Sequence, residues 1–181
     1  IFGNSKIGKN TYIIAWTTTP WTHPGNVALA VNKNIQYEAI KIEKVSGVLQ
    51  KLFIKEGETY IFANTKEAEY RIFSNEINWN ENNIAEIIIP ESTGTISDKG
   101  ELTNQIKTSL KRIGIFGGEK LLEKEYSPLF NIKSPEFKKN KKKYKIYSAS
   151  FVTDNNGTGV VHTAMMYGED DYQLGKEIGL P

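Results

Sequence analysis

Apolar side chains fall at every second position over much of this chain, and three stretches instead carry helical spacing. Tyr12-Ile13-Ile14-Ala15-Trp16 and Val27-Ala28-Leu29-Ala30-Val31 are β-prone runs joined by a polar, proline-fixed bend. Residues 35–42 alternate partly, as a half-buried strand does, and Ser46-Gly47 turns the chain into a partner strand over 48–54. Glu56-Gly57 turns again into Tyr60-Ile61-Phe62-Ala63, after which Asn64 or Thr65 caps a helix over 66–73 with Glu67 and Glu69 in its first turns. Residues 84–89 read as a strand ended by Pro90. Leu102, Ile106 and Leu110, at i, i+4 and i+8, predict a second helix over 102–111, with Gly114-Ile115-Phe116-Gly117-Gly118 ending it and opening another strand. Residues 145–152 alternate, Asp154-Asn155-Asn156-Gly157 is a strong turn, and residues 158–163 form a buried strand carrying His162. A third helix spans 171–178, with Gly179 at its C-terminus and Pro181 after it. Strands dominate, so the expected class is α+β, a β-barrel-like mixed-sheet core with a few peripheral helices.

At 181 residues the chain is the size of one domain, and 39% hydrophobic residues are enough to fill a core. A net charge of +2 does not announce a nucleic-acid binder, and no apolar run approaches the ~18 residues of a membrane span. With no cysteine, disulfides, cysteine–zinc sites and thiol catalysis are excluded, and the two histidines and scattered acids lack metal-ligand spacing. Residues 114–118 lack the Lys-Ser/Thr continuation of a phosphate loop. The basic run KKNKKKYK (138–145) is either a solvated loop or a phosphate contact. The first residue, Ile1, and the final Leu-Pro point to a piece of a longer protein.

The unusual chemistry is concentrated in WTTTPWTHPGN (16–26). Pro20 and Pro24 fix φ and remove donors, so neither flanking strand can continue through. Three adjacent hydroxyls and an indole at a strand end can wall a small-molecule pocket; equally, the threonines can cap turns while Trp21 fills the core. At the other end of the chain stands GTGVVHTAMMYGEDDYQLGKEIGLP (157–181).

Taken together, WTTTPWTHPGNVALAVN (16–32) and this second segment resemble the editing domain inserted into the catalytic fold of isoleucyl-tRNA synthetase, which pairs WTTTPWTLPxN with GTGxVHxAPxxGxDDY in that order. GEKLLEKEYSPLF (118–130) is similar to that family's GxxLxxxxYxPLF. Residues 65–113 diverge from it. The valyl and leucyl relatives typically read TTRPET or TTRPDT where this chain has Thr17-Thr18-Thr19-Pro20-Trp21-Thr22, and they lack a histidine at the position of His162. Two departures stand out: His23 where the family has leucine, and Met165 where it has proline, a change expected to alter the loop presenting Asp171. The HIGH and KMSKS signatures of the synthetic site are absent, so the resemblance implies a proofreading module alone, residues 1–181, excised from a larger synthetase.

That resemblance implies a cytoplasmic hydrolase acting on valine mischarged onto tRNA(Ile), with valyl-adenylate as a second substrate. It implies no editing cofactor, since ATP and Mg²⁺ serve only the synthetic domain. Its partners are the tRNA 3′ end and the rest of the synthetase, with no membrane. Asp171 is expected to pair with the substrate's α-ammonium group, kept ionised by local N–H groups at a helix start. His162 walls the side-chain sub-pocket. Thr17, Thr18 and Thr19 offer hydroxyls and N–H groups near the ester, with Thr18 and Thr19 expected to hold the substrate and the attacking water and local backbone donors to stabilise the oxyanion. Trp21 packs beside the adenosine or forms a pocket wall, and Asn26 bonds the turn or the substrate. The alternative is a non-catalytic module that docks the tRNA acceptor end, using the basic run and stacking on Trp21 and Trp79.

Overall fold

The computed structural model describes residues 2–4, 10–46, 54–90, 105–130 and 135–181. Two mixed sheets organise them. The larger contains β1 (Phe2–Asn4), β2 (Thr11–Ile13), β4 (Gln36–Ser46), β5 (Thr59–Ala63), β6 (Ile84–Pro90) and β7 (Gln105–Gly117), in the order β1-β2-β5-β4-β7-β6. The smaller runs β8-β3-β9, from β3 (Ala28–Val31), β8 (Ile146–Ser148) and β9 (Val160–Thr163). The class is α+β as expected, but the strands form two open sheets among the described residues rather than a closed barrel.

The apolar runs flanking the threonines are not a hairpin: β2 lies in the large sheet and β3 in the small one. Between them, Pro20–Gly25 winds into a 3-10 helix, to which its two prolines are suited by their fixed φ. The bend is therefore a crossing between sheets. One core joins them, in which Leu29, Val31, Ile146 and Val160 of the small sheet pack with Tyr37, Ile40, Phe62 and Leu110 of the large one.

The predicted helix over 102–111 is overturned, since from Gln105 onward this segment is the long strand β7, paired with β4 and β6. The spacing that suggests a helix is also an even spacing, which a strand satisfies equally well. Thr108 and Leu110 are buried, whereas Lys107 and Lys111 are exposed, the period of two that β structure requires. The expected partner strand over 48–54 falls almost wholly outside the described residues; the observed partners of β4 are β5 and β7. Within the alternating 145–152 stretch only Ile146–Ser148 is strand.

Helix α1 (Lys66–Phe73) has the expected bounds, with Thr65 as its cap through a 3.2 Å bond from the Ala68 N–H to its hydroxyl. A buried ionic cluster fastens α1 to the large sheet. Arg112 of β7 donates from Nε to Glu38 of β4 at 2.8 Å and from Nη2 to Glu69 of α1 at 3.3 Å, and its guanidinium lies 4.2 Å from the Trp79 ring centre. Trp79 in turn donates to Glu69. Burial pushes the Glu38 carboxyl up to about 7 despite the guanidinium beside it.

The basic run continues from α2 (Pro135–Lys139), and its lysines close helix ends. Lys143 donates to the carbonyls of Phe137, Lys138 and Asn140, and Lys142 to that of Ile178, the last residue of α3 (Glu169–Ile178). Cations are favoured at this end of a helix dipole. Lys145 pairs with Glu123. Among the described residues no helix is long and apolar enough to cross a membrane.

Candidate functional site

Pairing of β3 with β9 brings the two chain ends together, setting Leu29 opposite His162 and Ala28 opposite Thr163. The bend preceding β3 is thereby laid beside β9. Within it, the Thr19 N–H donates to Thr17 Oγ1 at 3.0 Å, and the Thr22 hydroxyl donates to the Thr19 carbonyl at 2.8 Å. Thr22 Oγ1 also lies 3.0 Å from His162 Nε2, across a sequence separation of 140 residues.

This bond fixes the state of the histidine. A hydroxyl has one proton, and Thr22 commits its proton to a carbonyl that can only accept. His162 must therefore donate from Nε2, and its burial keeps the ring neutral with Nδ1 unprotonated. Burial, with a smaller contribution from His23, pushes its pKa down to about 4. The two imidazoles lie 4.7 Å apart, tilted by 38°. His23, unexplained by the motif, is thus the second face of the box that holds His162.

Asp171 sits in the first turn of α3, which begins two residues before the predicted start. Its Oδ2 accepts a 3.0 Å bond from the Ala164 N–H, just past the end of β9. The carboxyl pKa is raised, chiefly by burial; the Ala164 bond lowers it and neighbouring Asp170 raises it. A helix start favours the anion, and burial works against it here. Met165 takes part in the local packing. It lies against Gly175 of α3, where a Cβ would come within 2.4 Å of its Cγ, so the bare glycine lets the loop and helix touch. With Lys142 at the far end of α3, this contact holds Asp171 against Ala164.

A cavity of about 630 Å³ gathers Thr17, Thr18, Thr19, Thr22, His162 and Asp171 in its lining. Two expected site residues lie elsewhere. Trp21 is 71% exposed and outside the lining, so it is not a wall of this pocket. Asn26 is buried outside it, donating to the Ala28 carbonyl at 2.7 Å and accepting from the Tyr126 hydroxyl. Of its two expected tasks, bonding the turn is the one this geometry performs. The lining also contains residues not singled out from sequence: Thr22, Trp16, Arg71, Asn156 and Tyr167. Thr22 was readable within the motif, as a hydroxyl one turn beyond Thr19. Arg71 carries no local signal, since it lies on a helix in the divergent region.

No protein-family model matches the chain. It is 34% identical over 177 residues to the isoleucine–tRNA ligase of Clostridium acetobutylicum, covering 96% of this chain and 12% of that protein. The isoleucine–tRNA ligase of the Wolbachia of Brugia malayi is also 34% identical, over 93% of this chain and 15% of that protein. In fold, the chain is similar to the editing domain of the Plasmodium knowlesi cytosolic leucyl-tRNA synthetase, with TM-score 0.55, 15% identity and 92% of this chain covered. A second solved structure, GlLeuRS-CP1, gives TM-score 0.55 at 17% identity, covering 93% of this chain and 44% of that one. The chain is homologous to isoleucine–tRNA ligases along nearly its whole length and has the fold of the synthetase editing domains. It spans about an eighth of the length of the isoleucyl relatives that it matches. The chain has its cavity between the N-terminal threonine bend and the C-terminal strand–helix unit.

Proposed function

We propose that this chain is an editing domain that hydrolyses valine from mischarged tRNA(Ile), with valyl-adenylate as a second substrate. The observation carrying the reading is the single cavity in which the threonines, His162 and Asp171 converge. A synthetic pocket shaped for isoleucine rejects valine only by the value of one methylene, ~1–3 kcal/mol or roughly 10–200-fold, a figure known from the isoleucyl enzymes themselves. A second, smaller site removes the error.

Asp171 has one oxygen on the Ala164 N–H and offers the other to the substrate's ammonium group, whose charge favours the carboxylate form. Thr18 and Thr19 position the ester and a water. The water's oxygen bonds to the acyl carbon, the bond from that carbon to the ribose oxygen breaks, and the proton passes to the departing ribose oxygen, leaving valine and free tRNA. Local backbone N–H groups stabilise the oxyanion between these steps. His162, neutral and held between Thr22 and His23, serves as a rigid wall that valine clears and isoleucine does not. A wall free to swing could not measure one carbon.

The binding-module alternative draws less support. Lys142, Lys143 and Lys145 of the basic run are engaged with carbonyls and Glu123, and Trp79 is packed beneath Arg112. The proposed work is cytoplasmic, done within a larger synthetase chain that delivers the tRNA end. Asp171→Ala is expected to reduce release of valine from valyl-tRNA(Ile) and from a valyl-adenosine ester by at least about a hundredfold, with an unchanged circular dichroism spectrum. Undiminished hydrolysis of both would remove this assignment.

A further inference from the structure

The cavity reaches a second group of side chains that the proposed hydrolysis does not use. Trp16, Arg71 and Asn156 line it together. The Arg71 guanidinium lies 4.6 Å from the Trp16 ring centre and donates from Nη2 to Asn156 Oδ1 at 3.3 Å. Its Nε donates to Glu67 at 2.6 Å. A guanidinium has five N–H donors, so three are left, including both on Nη1, in a fork whose orientation is already set.

The charges of the cavity are separated: Arg71 is the cation of the lining and Asp171 its anion. Their supports are fastened at opposite ends of β9. The Trp16 N–H is bonded to the Val160 carbonyl, and Asp171 to the Ala164 N–H. Four residues of extended chain, about 13 Å at ~3.3 Å each, separate these two fastening points. His162 lies between them in sequence, on the Thr22 side.

We propose that Arg71 is a phosphate-binding residue for the 5′-phosphate of the tRNA's terminal nucleotide, with Asn156 and Trp16 holding its guanidinium in place. This rests on the editing reading of the same cavity. In an aminoacylated tRNA end the ammonium and the terminal 5′-phosphate lie at opposite ends, with the ribose between the ester and the phosphate. In an aminoacyl-adenylate the acyl group is joined directly to the phosphate, which would put that anion beside the threonines and away from Arg71. The charge separation therefore favours the esterified tRNA end.

The test uses calorimetric binding of adenosine, adenosine 5′-monophosphate and a non-hydrolysable sulfamoyl analogue of valyl-adenylate, with hydrolysis of valyl-adenosine measured in parallel. Adenosine 5′-monophosphate is expected to bind the wild-type chain about tenfold more tightly than adenosine, the value of one charge-assisted contact. Arg71→Gln should erase that preference, Arg71→Lys should keep part of it, and neither should change affinity for the sulfamoyl analogue. Equal binding of adenosine and its monophosphate, or a preference surviving Arg71→Gln, overturns the proposal. An equal loss for the sulfamoyl analogue overturns the choice of tRNA end over adenylate. Hydrolysis without phosphate preference removes the Arg71 assignment alone, whereas phosphate preference without hydrolysis removes the editing reading and leaves the phosphate site.

Discussion

Acidification should destabilise the protein through His162 in a way that can be separated from every other titration. Its folded pKa, about 4, lies below the ~6.5 of an unfolded histidine. The unfolded chain therefore binds this proton more readily, and the stability associated with a neutral buried ring is lost as pH falls from about 6.5 towards 4. Worked from those two values, the loss is about 2 kcal/mol at pH 5 and about 3 kcal/mol at pH 4. Glu38 acts in the opposite direction. Its folded pKa of about 7 exceeds the unfolded 4.5, so its burial is least costly at low pH, and the protein gains stability there as pH falls through the same window. The raw stability curve is thus flattened by the opposing pair. The measurement is urea unfolding from pH 7.5 to 4 of the wild type and His162→Gln, whose amide can still donate to Thr22. The difference between the two curves is expected to shift in the variant's favour by about 3 kcal/mol over that range. A difference constant to within about 0.5 kcal/mol would refute the buried, neutral assignment of His162.

Two further substitutions address the site and its support. Thr22→Val leaves the His162 Nε2–H buried without an acceptor, so stability should fall by about 1–3 kcal/mol, and preference for valyl over isoleucyl esters should fall about tenfold as the ring loses its tether; kinetics on the two esters check this. Arg112→Met strands Glu38 and Glu69 without their shared cation, and should cost about 3–5 kcal/mol in urea unfolding while leaving the cavity residues in place.

Residues whose roles depend on immediate neighbours were legible in the sequence. Thr65 as a cap, Gly179 as a helix end and the buried strand around His162 follow from local rules. β7 was misread because Leu102, Ile106 and Leu110 satisfy helical and strand periods alike; only the long pairing with β4 decides between them, and it joins residues some seventy positions apart. The threonine bend was recognised as chemistry but not as a crossing between sheets, since a strand does not announce which sheet it enters. His23 looked anomalous until its ring was placed against His162. Arg71 carries no local signal because none of its sequence neighbours lines the cavity with it; Glu67, one helical turn away, holds its Nε from outside the lining.

The contact between Thr22 and His162 also sets an order of assembly. Closing a loop of that length costs about 4 kcal/mol in chain entropy before any contact offsets it, which places the event late in folding. During synthesis the threonine bend emerges well before β9 and α3, so a growing chain has its hydroxyl chemistry with nothing opposite it. The cavity is thereby completed only when the closing strand and the helix that follows it are in place.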